Sequence, residues 1–346
     1  MSGGVDSSVA AGLLVAAGHD VVGATLKLWG GPSDSGCCSV GDVDDARRVA
    51  QNLGVDHHVF NYSEEFEQHV VAPFVAGQLA GRSPNPCIEC NRKIKFDVLF
   101  DRARRLGFDA VATGHHARVV PFAGQPALAR GVDPAKDQSY VLGYLRGDQL
   151  KHLMLPIGHL LKIDVRAHAQ RLGLRTWDKP DSQDVCFIPS TLGREDFFRR
   201  RAALTRADVV DRASGEVIGV SEAAELVTVG QRRGVAPGRD GTRRYVSRVD
   251  LGARRIEVGP LEEIMVSELA LDESSISFAR TAPEQNEIVM VQSSAHGRVQ
   301  PATLRRAGRW SIQFHSPTRP VAPGQSVVFY RVDEPTIVEG AAIVAP

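Results

Sequence analysis

At 346 residues and 43% apolar, the chain is long enough for two or three domains and too rich in core formers to be disordered. No apolar run spans a bilayer and no basic-then-apolar leader opens the chain, which predicts a cytoplasmic protein with no membrane partner. Lys+Arg and Asp+Glu both number 41, so any nucleic-acid surface must come from local clustering rather than overall charge. In chain order, Val9, Ala10, Ala11, Leu13 and Leu14 predict a helix just after the N-terminus. Asp20 to Trp29 predicts a buried strand, residues 30–36 a turn-rich loop, Asp42 to Leu53 a helix closed by Gly54, and His57 to Phe60 a short strand. Glu64 to Leu79 predicts a helix kinked at Pro73. Asn91 to Leu106 predicts another, stopped by Gly107, and Asp109 to Thr113 a strand ending in Gly114-His115-His116. Strands alternating with helices predict a parallel sheet covered on both faces, with ligands at the carboxyl ends of its strands. Asp137 to Leu145 and Asp164 to Leu172 continue as helices. Beyond Pro189 the pattern changes. Asp208 to Val217 predicts a hairpin turning at Ala213-Ser214-Gly215, and 227–249 is rich in Gly and Arg. Short strands follow from about Val266 (Ile288 to Gln292, Ala302 to Arg305, Ser311 to His315, Ser326 to Tyr330), the pattern of a small antiparallel barrel.

The opening stretch Ser2-Gly3-Gly4-Val5-Asp6-Ser7-Ser8 carries the first chemical signal. Glycines let a backbone approach a ligand closely, and a helix that starts there presents unpaired N–H groups and a positive dipole end. That is an anion site, best suited to phosphate. It lacks the lysine of a GxxxxGK[ST] loop. Loops of this kind follow a strand; here only Met1 precedes, which we read as a chain start that omits that strand. Five cysteines, an odd number, do not suit a secreted disulfide framework. Cys87 and Cys90 lie in Pro84-Asn85-Pro86-Cys87-Ile88-Glu89-Cys90, with Arg92, Lys93 and Lys95 beyond. A helix start and nearby cations favour thiolate at Cys90. Without further context, Cys186 beside Phe187 and Ile188 reads as a buried small hydrophobe, and the Cys37-Cys38 pair as loop thiols.

SGGVDSS resembles the pyrophosphate loop of the N-type ATP pyrophosphatases, which adenylate an oxygen and release pyrophosphate. PNPCIECNRKIKF, ATGHHAR, KDQSYVL, DSQDVCFI, VGQRRG and PGQSVVFY, in that order, resemble the tRNA-uridine 2-sulfurtransferases, or tRNA-specific 2-thiouridylases. The resemblance spans nearly the whole chain. It implies an α/β parallel-sheet PP-loop domain (adenine nucleotide alpha hydrolase-like, 1–190), a small central domain (191–262) and a C-terminal antiparallel β-barrel (263–346) that binds tRNA. It also implies ATP-dependent 2-thiolation of the wobble uridine. Cys186 would carry a persulfide and Cys90 would be the partner nucleophile, ending in a disulfide with it. Ser2, Gly3, Gly4, Val5, Asp6, Ser7 and Ser8 would hold ATP phosphates, with Leu26 and Gly114 contacting the nucleotide. Mg²⁺ is expected on those phosphates with Asp6 as its nearest support. Asn85, Pro86 and Cys87 would line the pocket for the flipped base. His115, Lys136, Asp137, Gln138 and Gln325 would contact tRNA. A sulfur-delivering protein, a cysteine desulfurase or a relay, is the implied second partner.

Two features depart from the family. Cys87 stands where an acidic residue is usual, and Ser294-Ala295 where an Arg-Tyr pair is frequent. Cys87, Cys90 and Cys186 could therefore hold a [4Fe–4S] cluster with one iron open for sulfur, an alternative mechanism for the same reaction. Zinc would lack a fourth ligand. Two other functions stay open at this point: a PP-loop enzyme that adenylates a small amide or acid, and a non-catalytic tRNA-binding protein. Basic pairs and triplets at 199–201, 232–233, 243–244, 254–255 and 305–306 read mainly as solvated faces, some of them tracking RNA phosphates.

Overall fold

The computed structural model describes residues 1–29, 40–181, 185–188, 192–238, 241–279 and 286–346. Cys37, Cys38 and the expected loop 30–36 lie outside the described residues. The chain divides into two compact units, one comprising Met1–Val71, Pro86–Thr191 and Glu334–Glu339, the other Ala72–Asn85, Leu192–Asp333 and Gly340–Pro346.

In the first unit, helix Val5–Ala16 buries Val5, Val9 and Ala10 against Val49 of helix Val40–Leu53 and Val165 and Ala169 of helix Lys162–Arg171. Strand Gly23–Lys27 pairs in parallel with His57–Asn61, and Val111–Ala112 pairs in parallel with Leu153–Met154. The expected parallel sheet is thus present as two parallel pairs. Met1 runs beside the first pair. Its amino group donates to the Ala24 carbonyl and its own carbonyl accepts from the Thr25 hydroxyl.

Three local expectations change. The helix expected to kink at Pro73 widens instead: Ser63–Phe66 passes into π-helical Glu67–Val71 before Ala72–Leu79. Pro73 has no N–H to offer the turn before it, and a π-turn re-spaces the carbonyls. Likewise the helix around the CxxC segment begins at Pro86, becomes π-helical over Cys90–Val98 and departs from helical geometry at Phe96 (φ −113°, ψ 17°). The helix expected over Asp137 to Leu145 shrinks to a 3₁₀ turn, Ser139–Leu142. The Asp137 carboxylate captures the Ser139 N–H and hydroxyl, a local bond that competes with helix propagation. A hairpin not foreseen, Ala117–Phe122 with Gln125–Arg130, turns at Ala123 and Gly124, both with positive φ. Pro121 and Pro126, directly opposite each other, disguise it.

The second unit holds two sheets. Ala207–Asp211 and Val217–Ser221 form the expected hairpin, joined by Arg255–Gly259 and Tyr245–Asp250 in a four-stranded sheet. The larger sheet has seven strands in the order Val266–Ala270, Arg309–Thr318, Gln300–Ala307, Ile288–Gln292, Ser326–Tyr330, Val338–Ile343, Ser277–Phe278. A bridge from Leu271 to Val344 draws its sides together. The alternation of these strands buries Leu269, Val289, Val291, Leu304, Ile312, Val327 and Phe329 in one core.

Candidate active site

Gly3 has φ +69°, and a Cβ there would lie 2.3 Å from the Asp42 carbonyl oxygen, so only glycine lets helix Val40–Leu53 back onto the loop. Gly4 precedes the first turn of helix Val5–Ala16, and the hydroxyls of Ser7 and Ser8 both donate to its carbonyl, at 3.2 and 2.8 Å. The Ser2 N–H donates to the Ser7 hydroxyl at 3.1 Å. The loop is thereby tied into one shape before any ligand arrives. Gly114 closes its other side: a Cβ at 114 would lie 2.5 Å from the Ser7 nitrogen. Leu26 is half-buried on strand Gly23–Lys27, in register with Phe60.

The loop has no lysine of its own, but two arrive from far along the chain. Lys162, at the start of helix Lys162–Arg171 and with its side chain 11% exposed, donates to both Asp6 oxygens at 2.7 Å and to Asp181 Oδ1 at 2.8 Å. Lys179 donates to the Gly3 carbonyl at 3.0 Å and to Asp42 and Asp45 at 2.7 Å each. The sequence reading missed both, because only the tertiary fold brings positions 162 and 179 to positions 3 and 6. Asp181 also accepts from Lys136 at 2.7 Å and from Arg166 at 3.4 Å. One carboxylate therefore joins Lys162, at the loop, to Lys136, in the segment expected to meet tRNA. Burial pushes the Asp181 carboxyl up, but bonds from Lys136 and Lys162 outweigh it and bring it down to about 2. Because the folded value lies below the ordinary 3.8, this group stabilises the fold above that pH and loses its effect as pH falls toward 2. Denaturant titrations between pH 5 and 2 should show Asp181→Asn with a flatter stability curve than the parent.

His116 Nε2 sits 3.3 Å from Asp6 Oδ1. The His116 N–H donates to the Gln138 side chain, and the Gln138 N–H donates to the His116 carbonyl, both at 2.8 Å. His115, expected to meet tRNA, is buried; its Nδ1 lies 2.8 Å from the Thr113 hydroxyl and its ring faces Phe96. Burial holds its pKa well below the ordinary value, so the ring is neutral. Asp137 is fully committed within the fold, accepting from Gly131, Ser139 and Arg130. Of the Lys136-Asp137-Gln138 triplet, Asp137 is buried and shapes the turn, while Lys136 and Gln138 are half-buried.

Cys90 is buried at the first residue of the π-helix, Cys87 is exposed one turn earlier, and Cys186 is half-buried; none of the three is in a disulfide. Phe187, not Cys186, is the core residue of its segment. It is 1% exposed and packs edge-on to Phe66 at 5.7 Å and against Trp29 at 6.0 Å. The π-helix that starts at Cys90 packs on Ser63–Phe66 and Glu67–Val71, so both cysteine segments rest on the same helical stretch. Removing the Phe187 ring empties a fully enclosed slot. Phe187→Ala should lower unfolding free energy by about 3 kcal/mol or more; calorimetry checks the loss.

In the second unit, the Pro323-Gly324-Gln325 turn holds the segment leading to Asn85. The Ser83 N–H donates to the Pro323 carbonyl at 2.7 Å, and a Cβ on Gly324 (φ +86°) would press on Arg82 and Ser83. Two stretches expected to touch RNA are thus fastened together, with Asn85 and Gln325 both half-buried.

The residues fit the expected metal groups poorly. Among the described residues no three His, Cys, Asp or Glu side chains gather as ligands, so Cys87, Cys90 and Cys186 do not form a cluster site. Both oxygens of Asp6 are already bound by Lys162, with His116 beside them, which leaves Asp6 unsuited to Mg²⁺ in this arrangement. The chain's own lysine supplies positive charge there.

A glycine turn opening a helix beside parallel strand pairs is the arrangement of an α/β domain of the PP-loop class. The family model described as the tRNA methyl transferase HUP domain matches residues 1–190, and that described as the aminomethyltransferase β-barrel domain matches 269–344. Curated relatives named tRNA-specific 2-thiouridylase MnmA are 44% identical. The protein of Mycobacterium ulcerans aligns over 96% of this chain and 92% of its own length. Those of Acidothermus cellulolyticus and Salinispora arenicola align over 100% of this chain and 96% and 97% of theirs. The chain belongs to the tRNA-specific 2-thiouridylase family.

Proposed function

We propose that this chain is a tRNA-uridine 2-sulfurtransferase that uses ATP to replace the C2 oxygen of the wobble uridine with sulfur. The observation that carries the mechanism is the loop of Ser2 to Ser8 with Lys162 seated on it and linked through Asp181 to Lys136. The C2 oxygen attacks the α-phosphorus of ATP and pyrophosphate leaves. Lys162 and the loop N–H groups face the phosphate charge that builds as that bond breaks. Cys186 carries the sulfur as a persulfide, and its terminal sulfur attacks the activated C2. The Cys90 thiolate then attacks the inner sulfur of Cys186. The S–S bond breaks, the transferred sulfur keeps the electron pair, AMP departs, and a Cys90–Cys186 disulfide remains for an external thiol to reduce by two electrons. Asn85, Pro86 and Cys87 line the pocket for the flipped base, and His115 contacts tRNA. We divide the chain at 190 and 262, with the last part contributing RNA contacts through Gln325. A persulfide-bearing protein delivers the sulfur. No helix among the described residues is long and apolar enough to cross a membrane, and the cytoplasm suits a reaction that ends in a reducible disulfide.

Mass spectrometry of nucleosides from unmodified tRNA incubated with the chain, ATP and a sulfide source should show 2-thiouridine. Pyrophosphate release should depend on tRNA. Release driven by a small metabolite in place of tRNA would assign a different substrate to the same loop.

A further inference from the structure

Of the five basic clusters, four have partners close by. Arg199 is bound by Glu195 and Arg201 lies 3.8 Å over the Phe197 ring. Arg244 is buried on Asp211 at 2.6 Å, and Arg255 pairs with Glu257. Arg306 lies over Trp310 and Arg305 donates to Gln313. Arg232 and Arg233 differ. Both are exposed, and no carboxylate among the described residues pairs with them. They line a cleft of about 460 Å³ together with Gly230, Gln231, Tyr245 and Arg319, all in the second unit.

The cleft is built rather than incidental, and each residue of Gly230-Gln231-Arg232-Arg233-Gly234 has a part in it. Both glycines have positive φ, +84° and +76°, bracketing a tight loop. Gln231 staples that loop: its Oε1 accepts from the Thr228 N–H at 3.1 Å and its Nε2 donates to the Arg233 carbonyl at 2.7 Å. Backbone bonds from Gly230 to Val246 and from Val246 to Gln231 fix it to the strand that begins at Tyr245. A Cβ at Gly230 would lie 3.2 Å from the Pro320 carbonyl oxygen, so the glycine also lets Arg319 close the far wall. There the Arg319 guanidinium lies 5.9 Å from the centre of the buried Tyr245 ring. Three guanidinium groups with no acid from the described residues among them, on a hydrogen-bonded loop and against an aromatic wall, match the charge and forked geometry of phosphate oxygens.

We infer that this cleft is an RNA phosphodiester site, through which Arg232, Arg233 and Arg319 grip the tRNA backbone. It rests on the tRNA thiolation reading and adds a contact independent of the sulfur chemistry. The grip carries no sequence information and works by counterion release.

The test uses the full chain, the double variant Arg232→Gln/Arg233→Gln, the single variant Arg319→Gln and the conservative pair Arg232→Lys/Arg233→Lys. Affinity for labelled unmodified tRNA is followed across a series of KCl concentrations, with ATP binding and thermal melts as controls. The double variant should bind roughly tenfold more weakly near physiological salt, with a salt slope shallower by about 0.7 to 0.9 per guanidinium removed. The lysine pair should recover most of the slope, and ATP affinity should not move. Variants that match the parent in affinity and slope overturn the site while leaving the thiolation reading intact. Variants that keep tRNA affinity but lose sulfur uptake from a persulfide-bearing protein overturn it in favour of a protein-docking role. A parent chain that ignores tRNA even at low salt overturns both.

Discussion

Cys186→Ala should yield no detectable 2-thiouridine while binding tRNA and ATP as the parent does. The residue is half-buried and its neighbour Phe187 supplies the packing, so loss of one sulfur atom leaves the local fold in place. On the proposed mechanism, what disappears is the atom that carries sulfur to the activated carbon, and no other side chain substitutes for a persulfide. Nucleoside mass spectrometry gives the first result, and tRNA and ATP titrations the second. Product formed at the parental rate would place the carrier elsewhere. Cys90→Ala should behave differently: adenylation and pyrophosphate release continue, and turnover stops at sulfur release.

The second large effect concerns Lys162. Lys162→Met keeps the apolar stem and removes the charge. It should lower kcat/KM for tRNA-dependent pyrophosphate release by about a hundredfold or more, the usual scale for losing one positioned donor to a developing anion. Asp6 and Asp181 would both lose an ammonium at under 3 Å. Their carboxyls should then rise toward ordinary values, and acid unfolding should begin at higher pH. Steady-state kinetics with an acid titration separates the two consequences. Unchanged kinetics with altered acid stability would leave Lys162 as a structural ion-pair partner only.

How much of this was readable beforehand follows from how local each cause is. The loop Gly3 to Ser8 and the helix after it are spelled in consecutive residues, and they appear where the sequence puts them, whereas the helix after the CxxC segment begins earlier than expected, at Pro86. The hairpin at Ala207–Asp211 and Val217–Ser221 was legible for the same reason. Lys162 and Lys179 were not, since a lysine at a helix start or before a proline carries no mark of the carboxylate it will meet. The lost helix over Asp137 to Leu145 turns on one side chain capping its own backbone, which periodicity does not register. Gly114 was legible as special, while its reason, direct contact with the Ser7 backbone, needed the fold.

The Phe187 ring, wedged between Phe66 and Trp29, bears on how sulfur must travel. Adjacent α-carbons are only about 3.8 Å apart, so residue 186 is on a short leash for as long as the ring stays seated. It can pivot but not ferry cargo across the molecule. On the proposed mechanism, the sulfur donor would then have to come to Cys186 and unload there.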